Sequence, residues 1–527
     1  MMDLAQALGQ KLMLAFEGKE SPSLEFINSM RQYQPAGVTL FRYANIDTPS
    51  QLRALTATLQ CMAREMGIPP FLIGTDQEGG QLMAVGGGTQ LPGNMALGAT
   101  GSAELAYQAG EVLGRELAAM GVNVNYAPCA DVNINPQNPV VGVRSFGSDP
   151  GLVARLTSAM VRGIQSQGVA ATTKHFPGHG DTSTDSHLNL PIIQHSLEQL
   201  RTIDFPPFEA AIQADTKLVM TAHIGLPQID APEVLPATLS TNVLTSLLRR
   251  ELGFNGVIIT DAMDMHAIRQ GEFLGAEAVR AISAGADLLL VTTDPADHRR
   301  VFEAVTRALH DGLLNVDQEM KSLERIAALK QWLEESKSSP SLDVVNCEAH
   351  QKVAAEIAEK STTLMRDRAQ LLPLRLKSEQ RVAVIVPQPK DLTPADTSSY
   401  IVPQLAASIR KFHPNVDEFI IPLSPDTTEI SSLLQAVQRY DLVIMGTINA
   451  ASQTGQAELV KAMLQANVPL VVAALRLPYD IMLFPDVPIY LCTYSILEPS
   501  MTALAKALFG QIKTTGQLPV TIPGITD

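Results

Sequence analysis

Residues 174–187 read Lys-His-Phe-Pro-Gly-His-Gly-Asp-Thr-Ser-Thr-Asp-Ser-His, placing His175, His179, His187, Asp181 and Asp185 within fourteen positions of a chain that has 10 histidines in all. The stretch follows a strand-like run and is broken by Pro177, Gly178 and Gly180, so it reads as a loop on a rigid scaffold, where chemistry tends to sit. Three readings fit such a cluster: a His/Asp acid–base device, a metal site, or a hydrogen-bonded loop staple. Asp185 stands two residues before His187, close enough to orient the imidazole and favour its protonated form. An imidazole titrating near ~6.5 can then serve as acid and, later, as base. The glycines would let the loop close over a substrate.

Other candidates sit at the ends of apolar runs. Asp261 terminates Gly-Val-Ile-Ile-Thr-Asp, where an ionised carboxylate is costly unless donors or function stabilise it. Asp264, three residues on, is expected to start or cap the next helix. Lys174, His175, Arg144 and His223 could supply fixed donors to hydroxyl groups. Asp76 and Glu78 in Thr-Asp-Gln-Glu-Gly-Gly suit sugar hydroxyls, although a salt bridge would account for them equally well. Gly79 and Gly80 beside them allow a tight turn or close backbone approach.

These residues need a scaffold that gathers strand ends. Eight short apolar runs, at 12–16, 38–41, 71–76, 122–128, 171–176, 218–223, 257–261 and 287–291, alternate with helical stretches. Such near-continuous runs suit parallel strands buried on both faces, and eight alternations predict a (β/α)8 TIM-type barrel at 1–335. Catalytic groups of that fold emerge at the C-terminal ends of strands, where Asp76, Lys174, His175, His223 and Asp261 fall. A polar, Pro-containing linker is expected at 336–346. A smaller α/β sandwich domain follows at 347–527, with strands near 382–386, 419–423, 442–445, 470–474 and 489–492. Every candidate precedes the linker, so the barrel alone is expected to carry the chemistry. Neither GxGxxG nor GxxxxGK[ST] occurs, which leaves a nucleotide site unsupported.

Composition narrows the partners. The 527 residues are 46% hydrophobic and 18% charged, with a net charge of −15; this disfavours nucleic acid and anionic membrane, which call for a basic surface. A neutral substrate fits better. The first residues lack a basic segment followed by an apolar one, and no run reaches the length of a membrane span. Cys61, Cys129, Cys347 and Cys492 show no CxxC spacing, as expected of buried thiols in a reducing compartment. A cytoplasmic protein is expected.

Taken together, the stretches Asp76-Gln-Glu-Gly-Gly, Asn125-Tyr-Ala-Pro, Asp131-Val-Asn, Arg144-Ser-Phe-Gly, Lys174-His-Phe-Pro-Gly-His-Gly-Asp-Thr, Asp185-Ser-His and Ile259-Thr-Asp resemble the NagZ-like β-N-acetylglucosaminidase branch of glycoside hydrolase family 3. The resemblance covers most of 5–335, and the second domain resembles the α/β sandwich of many members. It implies a retaining exo-hydrolase of terminal β-linked N-acetylglucosamine in chitin oligosaccharides or cell-wall muropeptides, needing no metal or cofactor. Asp261 would be the nucleophile and His187 the acid/base, assisted by Asp185; Asp76, Arg144, Lys174 and His175 match positions that hold the first sugar. The chain departs from the pattern at Ala84, where members commonly carry a sugar-binding arginine; a neighbouring loop or a second subunit would have to replace it. The oligomeric state is left open, a homodimer among the options. Three rivals remain: a phosphorylase, because a neutral imidazole tolerates phosphate; a metal-dependent hydrolase built on the histidine loop; and a non-catalytic sugar-binding protein.

Overall fold

Eight parallel strands form a barrel in the computed structural model, which describes residues 7–183 and 190–525. They are β1 (Leu12–Ala15), β2 (Gly37–Thr39), β3 (Leu72–Thr75), β4 (Val124–Asn125), β5 (Ala170–Phe176), β6 (Leu218–Thr221), β7 (Val257–Ile259) and β8 (Leu289–Val291). Neighbours in sequence pair in parallel around the sheet, and β8 pairs with β1. The ring closes where Ile259 bridges Leu288, whose N–H donates to the Ile258 carbonyl at 3.0 Å.

The apolar runs make strands because each buries both faces. In β1, Leu12 and Leu14 pack outward with the surrounding helices, while Met13 points into the barrel with Leu72, Val124 and Tyr126. Ile326, Leu329 and Leu333 of the helix Val316–Glu335 join that interior cluster. Beside them the buried Lys11 ammonium sits 2.6 Å from Glu319 Oε2.

The second domain holds a six-stranded sheet. Its strands are β9 (Thr363–Asp367), β10 (Val382–Pro387), β11 (Val416–Ile421), β12 (Leu442–Thr447), β13 (Leu470–Ala474) and β14 (Ile489–Cys492), in the order β9-β14-β13-β12-β10-β11. Sandwiching follows from the period-two geometry of a strand: Val382, Val384 and Val386 pack with the helix Leu405–Arg410, whereas Ala383 and Ile385 belong to the cluster with the helix Thr427–Val437. The antiparallel edge strand β9 has no counterpart in the sequence expectation. Its central Leu364 and Met365 are only half-buried and polar Arg366-Asp367 ends it, so it lacks the apolar run that marks the others.

Contacts join the two domains. The helix Glu348–Ser361 packs on the helices Asn94–Thr100 and Ala103–Ala119, and His350 Nδ1 donates to Glu116 Oε1 at 2.8 Å. Residues 391–400 reach the barrel, where the Thr397 N–H donates to the Gln81 carbonyl at 3.0 Å. No helix among the described residues is long and apolar enough to cross a membrane.

Candidate active site

Asp76 follows β3 directly, Lys174 and His175 lie among the last three residues of β5, Asp261 stands two residues after β7, and Arg144 ends a single 3₁₀ turn, Gly142–Arg144. All five line one cavity of about 440 Å³. The convergence is the expected result of parallel strands in a barrel, whose C-terminal ends share one rim.

A charged network forms the cavity's deep wall. Arg144 grips Glu78 at two points, Nη2 to Oε1 at 2.7 Å and Nε to Oε2 at 3.0 Å. Lys174 Nζ lies 2.6 Å from Asp76 Oδ1 and 2.7 Å from Glu78 Oε1. Burial would raise the Glu78 carboxyl, but Arg144 and Lys174 outweigh it and hold it down at about 2. Burial likewise opposes charge on Lys174, and Asp76 and Glu78 raise it nevertheless. Glu78 and Lys174 are therefore held charged and fixed, and Asp76, with its side chain 24% exposed, is the most open member of the network. Gly79 and Gly80 turn the hairpin that presents Glu78, with φ of 86° and 63°; at Gly80 a Cβ would sit 2.9 Å from Gly93, so both turn and close approach apply.

Asp131, buried beneath the histidine loop, accepts from His175 Nδ1 at 2.7 Å through one oxygen and from the His175 and His179 N–H groups at 3.2 and 2.7 Å through the other. That ring tautomer leaves His175 Nε2 to accept from Arg144 Nη2 at 3.4 Å. Burial pushes His179 down to about 4 against the pull of Asp131, so this imidazole is neutral at physiological pH. Gly178, with φ of 132°, packs against Asp204, and a Cβ at Gly180 would fall 1.8 Å from the Val132 carbonyl. Those glycines serve close packing at the loop's base rather than the hinge expected from sequence. His195 holds the same region, its Nδ1 2.7 Å from Asp204 and its Nε2 3.1 Å from Asp181.

Asp261 is half-buried and accepts from the Ala262 N–H at 2.8 Å. His223 stands behind the cavity wall rather than on it: it is fully buried, and Nε2 donates to the Ala262 carbonyl at 3.0 Å. Asp264 does not begin a helix. The next α-helix starts at Leu274, and Asp264 lines the cavity, because the intervening turns reach over the rim. Asp185 and His187 lie outside the described residues.

The second domain completes the cavity. Asp391, Thr393, Pro394, Ala395, Asp396, Thr397 and Tyr400 line it alongside the barrel residues. This segment is locked in place, since Gln81 Nε2 donates to the Ala395 carbonyl at 3.0 Å, the Met83 N–H donates to Thr397 Oγ1 at 3.1 Å, and Arg476 joins Asp396 at 3.0 Å while also bonding Gln81. Nothing in the sequence marked 391–400, and Asp131 was visible only inside a motif. Cys129, Asp131 and His175 come within 4.8 Å of one another. Cys129 Sγ lies 3.1 Å from Asp131, and burial followed by Asp131 raises its thiol well above the ordinary value. Protonated sulfur and an already bonded carboxylate are a poor donor set for an ion.

Residues 4–329 match the glycosyl hydrolase family 3 N terminal domain, and residues 362–527 match the family 3 C-terminal domain. The chain belongs to glycosyl hydrolase family 3. Among its family 3 relatives, β-hexosaminidase A of Pseudoalteromonas piscicida is 32% identical, with 98% of this chain and 97% of the relative covered. A solved family 3 β-N-acetylglucosaminidase from Paenibacillus sp. is 37% identical with a TM-score of 0.93, covering 100% of both chains. A β-glucoside phosphorylase, BglX, is 26% identical with a TM-score of 0.84, over 99% of this chain and 94% of that one. The family 3 chain thus falls in the β-hexosaminidase branch that its motifs resemble, with the barrel and the sandwich domain both present.

Proposed function

We propose that the protein is a retaining exo-β-N-acetylglucosaminidase acting by double displacement. One observation carries the reading: Asp261 shares a cavity with a prearranged set of hydroxyl-binding groups, Asp76, Lys174, Arg144 and His175, held in place by their bonds to one another, to Glu78 and to Asp131. Asp261 attacks the anomeric carbon while His187, oriented by Asp185, gives its proton to the departing glycosidic oxygen. His187 then takes a proton from water, which attacks the same carbon and frees Asp261. His223 positions this step from behind by bonding the Ala262 carbonyl. A histidine in the acid/base role departs from the usual pair of carboxylates.

The terminal N-acetylglucosamine of a chitin oligosaccharide or muropeptide is the substrate in this reading, and no metal or cofactor takes part. Four free thiols, Cys61, Cys129, Cys347 and Cys492, support a reducing compartment, the cytoplasm.

A 5-fluoro N-acetylglucosaminyl fluoride, which keeps the 2-acetamido group, tests the mechanism. Mass spectrometry is expected to find the sugar on the peptide containing Asp261; an adduct only on Asp264 or Asp76 reassigns the nucleophile. The likeness to a β-glucoside phosphorylase favours a second reading in which phosphate replaces water. An initial rate that rises with phosphate, with sugar 1-phosphate as product, would establish it.

A further inference from the structure

The deep wall of the cavity accounts for the hydroxyls of one sugar, whereas its mouth carries a different chemistry. Tyr43 and Tyr400 are 68% and 53% exposed, yet both line the cavity. Tyr43 follows β2 and is stacked on Phe41, ring centres 5.5 Å apart at 15°. Tyr400 comes from the second domain, and the Arg42 guanidinium lies over its ring at 3.9 Å. Arg42 donates Nη1 to the Met83 carbonyl at 3.0 Å, the only hydrogen bond of its guanidinium among the described residues, which leaves four of its five donors for other partners. Its neighbour in the hairpin is Ala84, which also lines the cavity. Exposed aromatic rings kept flat by a backing group bind the apolar faces of sugar rings at low entropic cost, as tyrosines do at other recognition surfaces.

In an exo-acting pocket the terminal sugar goes to the closed end and the leaving portion stays at the mouth. We propose that Arg42, Tyr43 and Tyr400 form a subsite for the leaving sugar, assembled across the two domains and fitted to a neutral saccharide. The proposal rests on the hydrolase reading above and names its substrate class. Charge supplies the selectivity. Asp264 and Asp391 stand exposed at the same mouth, and Asp391 is fixed there by the Ser399 N–H and hydroxyl, both at 2.7 Å. The carboxylates of Asp264 and Asp391 repel a leaving sugar that carries a carboxylate and leave a neutral one unaffected. A chitin-type oligosaccharide therefore fits the mouth, and a lactyl-bearing muramyl residue does not.

The test compares kcat/KM for three probes: N-acetylglucosaminyl fluoride, whose leaving group fills no subsite; the neutral β-1,4 disaccharide of N-acetylglucosamine; and the same disaccharide with a 3-O-lactyl group on its reducing residue. Tyr400→Ala is expected to lower the disaccharide-to-fluoride ratio about 10-fold, the size of one aromatic contact of ~1.4 kcal/mol. Tyr400→Phe is expected to restore that ratio, and Val402→Ala, exposed and off the cavity, to keep the wild-type ratio. The wild-type enzyme is expected to prefer the neutral disaccharide to the lactyl one, with the gap narrowing as salt rises. A ratio unchanged in Tyr400→Ala, or a Phe variant as poor as Ala, overturns the stacking subsite. Preference for the lactyl disaccharide overturns its neutral selectivity. Absence of sugar release from all three probes by the wild-type protein instead removes the hydrolase reading on which the subsite depends.

Discussion

The Asp131 carboxylate holds His175 at two places, taking the ring Nδ1–H at 2.7 Å and the backbone N–H at 3.2 Å. One buried acid thereby sets both the tautomer of the imidazole and the path of the chain that carries it. The neighbouring His179 N–H shares the same carboxylate, so the loop's start is built around a charge that none of its own residues supplies. Burial alone would raise that carboxyl, but His175 and then His179 take it well below the ordinary aspartate range.

Replacing Asp131 by Asn puts an amide donor where an acceptor is needed. A buried N–H left unpaired costs ~1–3 kcal/mol, so denaturant unfolding of Asp131→Asn is expected to show a loss of that size. Dialysis of the wild-type protein against a chelator is expected to leave turnover unchanged. Loss on chelation and recovery with zinc would favour the metal-dependent hydrolase reading of the histidine loop.

Glu78 faces two cations in a buried site, and breaking such a group by removing one charge costs ~3–5 kcal/mol. Glu78→Gln is expected to lower unfolding free energy by about that much and to raise KM, because Lys174 and Arg144 lose their fixed positions. The pH dependence has a definite sign. The folded carboxyl is depressed from 4.5 to about 2, so its contribution is complete above the unfolded value and is lost as pH falls from there toward about 2. The acid limb of a stability profile is expected to flatten in Glu78→Gln.

His195 donates to Asp204 and Asp181 from its two nitrogens, an arrangement that requires the imidazolium. The hydrogen bond to Asp204 outweighs burial and raises the imidazole above its ordinary value of 6.5; burial pushes the Asp204 carboxyl up while His195 opposes it. Its stabilising contribution is present below ~6.5 and is lost as pH rises through the raised value. NMR titration is expected to place His195 above a free histidine, and Asp204→Asn to bring it down. An unshifted titration removes this latch.

His187 is expected to act as both acid and base. His187→Ala should slow oligosaccharide substrates by ~10²–10⁴ and activated aryl glycosides much less at the first step. Azide, which needs no deprotonation, is expected to restore turnover by capturing the intermediate. An equal loss on every substrate, with no azide effect, would make His187 a binding or structural residue.

The sequence by itself determined the barrel, because eight runs such as Val257–Ile259 can be satisfied only by parallel strands buried on both faces, and the period of those runs is local information. It also pointed to Asp76, Lys174, His175 and Asp261, since strand ends are readable once strands are. Three features waited for tertiary structure. His223 sits at a strand end like the others, yet which way a ring faces depends on what packs around it, and Thr238 and Ala262 draw it behind the wall. Asp131 becomes a centre only because β4 and β5 are neighbours and the loop after β4 runs beneath His175. Tyr400 stands more than three hundred residues from Arg42 in a domain whose sequence carries no motif for the site. Their stacking is a product of how two cores pack together, a long-range relation that no local pattern encodes.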